Sequence, residues 1–404
     1  MNVQSGVVHY LKNGDVFYTS SAAPSFPLFL AAALADLGAT ITDATTAGSS
    51  RLGCVLVESG ISPPGSVPVR ADAVVSGLEV PWALAFLPGG DILVTERPGR
   101  VRLLRDGVLQ PEPVATIPTG ETGEGGLMGI ALHPAFASNR LFFLYYTAPA
   151  GSNRLDRWQL SEDHASAVFE SLLLDGIPSS PRHNGGRLRI GPDGMLYVGT
   201  GDPGTADNSQ DPRTLAGKGL RLRPDGAVPA DNPFPGSPIF VTGVRNTQGL
   251  DWTDDGTLAI TDHGPTGELG RTGHDELNFV RAGANLGWPT IYGCEGGAGL
   301  VTPAIVWRNA VPPGGMAIYR GSSIPEWTGS ILIGSLGAQR LVRVTFDPAA
   351  GFAVTSHESY FAGQFGRLRE VIQGPDGQLY VTTSNCDGRG TCGAEGDRIL
   401  RISR

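Results

Sequence analysis

Six copies of one short pattern constrain this chain more than anything else in it. Each copy is a run of turn residues, then a short apolar strand, then a second turn. They read LPGGDILVTERPGRVRLL at 87–104, NRLFFLYYTA at 139–148 and GPDGMLYVGTGD at 191–202. TDDGTLAITDHGP at 253–265, WTGSILIGSLGAQRLVRV at 327–344 and GPDGQLYVTTSN at 374–385 complete the set. The copies recur about every 45 to 75 residues, a spacing that suits propeller blades of about four strands. A four-stranded blade has two apolar faces, and radial stacking between neighbours covers both. Closing the ring leaves only short, protected edges. The expected fold is therefore all-β, a six-bladed β-propeller over 71–404. The last strand, RILRIS at 398–403, should pair with a strand near Ala73–Val75 to close the ring. No long amphipathic helix is expected after residue 75.

Composition agrees with many short strands. Of 404 residues, 58 are Gly and 31 Pro, spread along the chain rather than clumped. The net charge is −9 with no basic stripe, which excludes a nucleic-acid partner. No apolar run is long enough for a membrane-spanning helix. Residues 1–70 fit no blade and read as an N-terminal extension and linker. Within them Ser25–Thr40 (SFPLFLAAALADLGAT) resembles the apolar core of a leader, but it lies far from Met1 and no Lys/Arg cluster precedes it. An amphipathic helix is the other reading. Ile61–Val69 (ISPPGSVPV) reads as extended linker. The four cysteines include no C-x-x-C pair. Cys386 and Cys392 share a Gly-rich loop; they read either as a local disulfide or as two free thiols.

Chemistry-bearing residues fall in the turns. His183 lies in SPRHNGGRLRIGPDG, just before an inner strand, where a propeller lines its axial channel. It reads as a base or as a histidine bonding its own loop. Asp202 follows the same repeat and reads as its orienting carboxylate or as a turn aspartate. Arg245 and Asn246 stand in VRNTQ, and Arg367 and Arg369 form an R-x-R pair whose side chains share one face of an extended strand. Three arginines converging on a channel would suit a ligand with several carboxylates, with surface ion pairs as the alternative. Asp275, Glu276 and Asn278, followed by NLGWP, supply hard oxygen donors suited to calcium, or are solvated loop residues. GTGDPG at 199–204 matches a dinucleotide fingerprint formally, but no helix follows it, so its glycines are turn residues.

Taken together, residues 75 to 404 resemble the soluble aldose sugar dehydrogenases that use pyrroloquinoline quinone (PQQ). The resemblance rests on seven segments in order: PWALAFLPGGDILVTERPGR (81–100), GEGGLMGIALHPAF (123–136), HNGGRLRIGPDGMLYVGTGD (183–202), GVRNTQGL (243–250), HGP (263–265), DELN through NLGWP (275–289) and GRLREVIQGPDGQLYV (366–381). It implies His183 as catalytic base, Asp202 as its supporting carboxylate and Glu124 at the cofactor. It implies Arg245 and Asn246 beside the quinone, and Arg367 and Arg369 on its carboxylates. The carbonyls of Gly264 and Pro265 would hold a calcium ion beside the cofactor, and Glu276 with the Leu286 carbonyl a second, structural one. The implied reaction takes the anomeric hydroxyl of an aldose to a lactone.

Two departures stand out. A lysine that contacts the cofactor in the glucose dehydrogenase branch falls near Gly337 here, with Arg340 as the nearest replacement. Of the aromatic residues expected around 305–310, only Trp307 is present. The expected partners are the sugar and an electron acceptor of unknown identity, with a monomer or dimer as the assembly. The family setting and a Cys386–Cys392 bridge both point to an exported protein, periplasmic or extracellular, beginning after Phe26–Leu34. A non-catalytic propeller of the hedgehog-interacting type and a calcium-dependent lactonase are the rival functions.

Overall fold

The computed structural model describes the strands Asn2–Gln4, Val7–Lys12 and Asp15–Ser20, and residues 53–404 except 121. The apolar segment at 25–40 lies outside the described residues. The first three strands form an antiparallel sheet of their own. The remainder is a six-bladed β-propeller. Its helices are single short turns, the longest being Phe136–Asn139 and Ala206–Ser209.

Each blade runs outward from the axis. The inner strands, in ring order, are Pro81–Phe86, Leu127–Leu132, Leu188–Ile190, Thr247–Trp252, Pro313–Ile318 and Leu368–Gln373. Each neighbours the next, and the sixth neighbours the first. The six sequence repeats are the second strands with their turns: Ile92–Glu96, Leu141–Thr147, Leu196–Gly199, Leu258–Asp262, Ile331–Ser335 and Leu379–Thr383. All six are buried along their whole length apart from the first residue of Leu141–Thr147, which is half-buried. Blades therefore stack on both faces, as the burial reasoning requires.

The repeated G-P-D-G-x-L-Y has a local cause. In the third blade Asp193 accepts the Met195 amide (3.0 Å) and the Tyr197 hydroxyl (2.9 Å). In the sixth, Asp376 accepts the Gln378 amide (3.1 Å) and the Tyr380 hydroxyl (2.8 Å). A side chain at Gly191 or Gly374 would strike the tyrosine ring, at 2.5 and 2.7 Å. The motif thus fixes a turn and seats an aromatic ring over it.

Closure occurs as expected. Asp397–Ser403 pairs antiparallel with Arg70–Leu78, Ile399 facing Val75 and Leu400 facing Ala73. The sixth blade is therefore built from both ends of the propeller chain.

The stretch expected to be extension and linker is attached to the ring. Val55–Val57 adds a fifth, parallel strand outside Ile305–Trp307 of the fourth blade. Cys54 is disulfide-bonded to Cys294. Ser62 accepts the Trp307 indole N–H (3.0 Å), and the Gly65 amide donates to the Ser359 carbonyl (2.9 Å) on the fifth blade. Residues 54 to 65 thus form a strap across two blades before the chain enters the closing strand. Three-residue pairing carries no alternation long enough to read from sequence.

Candidate active site at the channel mouth

Loops leading into inner strands and leaving second strands meet at one end of the axis. His183 sits there in left-handed backbone (φ 59°), a conformation that costs energy for a non-glycine residue and recurs at functional sites. Glu124 accepts its backbone N–H at 2.8 Å. The imidazole is buried, 4% exposed, and makes two close contacts. Nδ1 lies 2.6 Å from Asp202 Oδ1, and Nε2 lies 2.8 Å from Nη2 of Arg245. A guanidinium has only donors, so Nε2 must accept and Nδ1 must carry its hydrogen toward Asp202. That is the tautomer a general base needs.

Asp202 is held by three further groups. Its Oδ1 accepts the Gly204 amide (2.8 Å), and its Oδ2 accepts the Trp288 indole N–H (2.9 Å). Its own amide donates to the Arg245 carbonyl (2.8 Å). Burial works to raise the carboxyl pKa, but the hydrogen bonds from His183, Gly204 and Trp288 outweigh it and hold it below the ordinary value.

Arg245 is almost fully buried. Asp262 fixes its amide (2.8 Å) and that of Asn246 (2.6 Å), which pins the VRN turn to the second strand of the fourth blade. Its Nη1 donates to the His263 carbonyl (3.2 Å), and its Nη2 also reaches Glu268 Oε1 (3.0 Å). Its Nε is buried without a partner among the described residues. Asn246 accepts the Gly185 amide (3.0 Å), next to His183. His263 donates from Nε2 to the Pro313 carbonyl (2.7 Å), and desolvation pushes its pKa down to about 3, so it is neutral.

Arg367 and Arg369 do share one face, and they share one carboxylate. Asp387 Oδ2 accepts Arg367 Nε (3.0 Å) and lies 3.5 Å from Arg369 Nη2. Burial brings Arg369 down to about 10. Trp82 lies beneath both Arg369 (5.7 Å) and the fully buried Arg187 (4.4 Å). Glu124 accepts from Arg389 (2.6 Å), which belongs to the same loop as Asp387. Cys386 and Cys392 are bridged and close that loop. Of the two readings of this pair, the structure bears out the disulfide.

Gly264, Pro265, Glu276 and Leu286 line one pocket, together with Arg245, Asp262, His263 and Trp288. The two ion sites expected from the family thus face a common space. Glu276 stands directly across from Asp262 on the paired strand. Two carboxylates so placed, Asp262 buried and Glu276 half-buried, repel. Burial, then this neighbour, pushes Glu276 well above its usual value, and burial pushes Asp262 up to about 6. Asn278 Oδ1, on the same strand face as Glu276, finds no donor among the described residues. A hard cation would answer both the repulsion and the orphaned oxygen. The donor set is one or two carboxylates, an amide oxygen and carbonyls. No cluster of three His, Cys, Asp or Glu side chains that could hold a metal occurs among the described residues.

Arg340 stands at the end of a loop leaving a second strand. It opens the third strand of the fifth blade and donates from Nε to its own loop at Ala338 (2.8 Å). No side chain fits at Gly337, where Pro312 would be 2.8 Å away. Trp307 is buried in the outer strand of the fourth blade, bonded to Ser62, and is not at the mouth. Reading the sequence missed Trp288, Asp387, Arg389 and Glu268. The first three stand inside the quoted or neighbouring motifs NLGWP and NCDGRGTC; Glu268 lies in a turn with no motif.

The site is thus a buried His–Asp pair with an arginine on the imidazole and an arginine pair sharing one carboxylate, at one end of a six-bladed propeller. The comparisons place that propeller among sugar oxidoreductases. The family profile described as Glucose / Sorbosone dehydrogenase matches residues 78–400, and the chain belongs to that family. It is 30% identical to the aldose sugar dehydrogenase YliI of Escherichia coli, over 79% of this chain and 91% of that one. Among solved structures, a Thermus thermophilus oxidoreductase (glucose dehydrogenase) is 42% identical with a TM-score of 0.77, covering 83% of this chain and 100% of that one. The PQQ-bound aldose sugar dehydrogenase of Streptomyces coelicolor is 37% identical with a TM-score of 0.75, covering 85% and 99%.

Proposed function

We propose that this protein oxidises the anomeric hydroxyl of aldose sugars to lactones, using PQQ and calcium. The observation that carries the reading is the imidazole of His183, oriented by Asp202 so that Nε2 is an acceptor, occupied here by Arg245 Nη2. His183 takes the hydroxyl proton at Nε2 as the carbon–hydrogen bond breaks. Asp202 keeps the tautomer and offsets the positive charge that the ring gains. Bound PQQ would supply the hydride acceptor. Arg245, close enough to bond the imidazole, can turn its Nη2 to negative charge developing beside the reacting carbon. Arg367 and Arg369 would hold carboxylates of the quinone, the role Asp387 fills for them here. One calcium would be held by the Gly264 and Pro265 carbonyls, where it would act as a Lewis acid, and a second, structural one by Glu276 and the Leu286 carbonyl, where it would neutralise the paired carboxylates.

Two disulfides, with no free cysteine among the described residues, support an exported protein, periplasmic or extracellular. No described helix is long and apolar enough to cross a membrane. The electron acceptor is then a partner outside the cytoplasm.

The test is reconstitution with PQQ and calcium chloride, followed by dye reduction with aldoses. Turnover is expected only with both additions. His183→Ala and His183→Gln should lose about 10² to 10⁴ in turnover while quinone binding, read by its absorbance, persists. Wild-type turnover in either variant would reduce His183 to a structural residue. Sugar-independent or absent dye reduction would remove the dehydrogenase reading itself.

A further inference from the structure

Beside His183 stands a carboxylate that the chemistry above does not use. Glu268 lies in the short turn Glu268–Gly270, inside the loop joining the second and third strands of the fourth blade. Thr266 and Thr272 bridge the base of that loop, and Gly267, Leu269 and Gly270 all take positive φ, which curls it back over the mouth. Glu268 Oε2 accepts the Thr266 amide at 2.6 Å. Its Oε1 is 3.0 Å from Arg245 Nη2 and 3.9 Å from His183 Nε2. Arg182 approaches the same oxygen at 3.8 Å from the solvent side. The side chain is 17% exposed.

Three acceptors crowd the two hydrogens of Arg245 Nη2: His183 Nε2, Glu268 Oε1 and, at 3.4 Å, the Thr266 hydroxyl. A substrate hydroxyl offered to His183 must take the place that Nη2 now fills. Oε1 is within hydrogen-bond reach of that place and then has lost its closest donor. The Thr266 amide and Arg245 outweigh the effect of burial and hold the Glu268 carboxyl at about 2, so it is ionised and only accepts. The reacting hydroxyl gives its own hydrogen to His183. The donor for Glu268 must come from a second hydroxyl close to the first.

We infer that Glu268 is a substrate-contact residue, accepting a hydrogen bond from the hydroxyl on the carbon next to the one oxidised. The site then selects sugars with a vicinal diol and discriminates against 2-deoxy sugars. This rests on the reading of His183 as the base that receives the anomeric hydroxyl. A site that hydrogen-bonds a substrate hydroxyl rejects the analogue lacking it, because its own polar group is left unpaired. Glu268 is partly open to water, so the expected preference is about 10- to 100-fold, below that of a sealed pocket.

The experiment compares D-glucose with 2-deoxy-D-glucose on wild type, Glu268→Gln and Glu268→Ala. Two quantities are read: kcat/KM of the quinone- and calcium-loaded enzyme, and sugar affinity by calorimetry. Wild type should prefer glucose in both. Glu268→Ala should bring the two sugars to within about threefold of each other, with Glu268→Gln between, since its amide oxygen still accepts. A preference retained in Glu268→Ala overturns the inference. So does an equal loss on both sugars, which marks a residue that only positions Arg245. The isosteric Gln variant decides the matter if the Ala variant fails to fold. A binding preference that disappears in Glu268→Ala without any dye reduction would sink the dehydrogenase reading and leave this assignment standing. Failure of wild type to bind either sugar would overturn both.

Discussion

Asp202 acts on His183 through both geometry and charge. It fixes which nitrogen carries the hydrogen, and it lies close enough to stabilise a ring that has gained a proton. Asp202→Asn keeps the shape but can present an amide N–H to Nδ1, which favours the wrong tautomer. Turnover should fall by about 10² or more while sugar KM changes little; a fall in affinity with turnover intact would mean that Asp202 only shapes the pocket. The pH dependence follows from the sign of the shift. A carboxyl held below its ordinary value contributes stability that is complete above the unfolded pKa, near 3.8, and is lost as pH falls through the lower folded value. Asp202 therefore stays ionised through the neutral range, and an inflection in rate above pH 4 belongs to another group. At this scale the sequence was legible where a residue sat in an ordered motif: His183, Asp202, Arg245, Asn246 and the arginine pair all reach the mouth. Glu268 was not legible, because its position depends on a turn of positive-φ residues folding back, which no local pattern announces. The role of Arg340 was not legible either. Nearness in sequence to Gly337 says nothing about direction, and its guanidinium turns to its own loop.

Between strands, the floor of the channel depends on a charge network. Glu370, on the inner strand of the sixth blade, is fully buried and bridges Arg187 and, at 3.0 Å, Arg189 of the third blade across the axis. Arg187 also donates to the Gln248 carbonyl (2.7 Å) and lies over Trp82, so four blades meet at one cation. Desolvation lowers Arg187 to about 9, with Glu370 opposing the loss of charge. Removing one partner of such a pair leaves the other buried and uncompensated. Glu370→Gln should cost about 3–5 kcal/mol of stability, read as a shift in the urea midpoint. A change below about 1 kcal/mol would show that water reaches the floor and screens it. The second strands that pair with the inner strands carrying this network were visible in sequence as repeats. The network was not, because Arg187 and Glu370 are 183 residues apart and meet only once the ring exists.

For the whole molecule, the decisive elements are those that keep the ring shut. One is the closing strand Arg70–Leu78, expected from the repeats. The other is the strap at 54–65, which belongs to the stretch read from sequence as extension and linker. The strap contributes a strand, the Ser62–Trp307 bond and the Cys54–Cys294 bridge, whose cysteines are separated by 240 residues. The second disulfide spans only six. In the chain-entropy account a bridge destabilises the unfolded chain more, the longer the loop it closes. Cys294 also follows Ile291 and Tyr292, which line the cavity beside Arg245, so the bridge anchors one wall of the site from outside the ring. Cys54→Ser/Cys294→Ser should therefore cost about 2–4 kcal/mol, more than Cys386→Ser/Cys392→Ser. Denaturant midpoints of the two double variants, each keeping the other bridge, make the comparison. The local pair should instead show its effect at the mouth, because its loop carries Asp387 and Arg389 onto Arg367, Arg369 and Glu124. Equal midpoints, or a larger loss from opening the short loop, would mean that the strap is held by its strand and hydrogen bonds alone and that the long bridge adds no constraint to the unfolded chain.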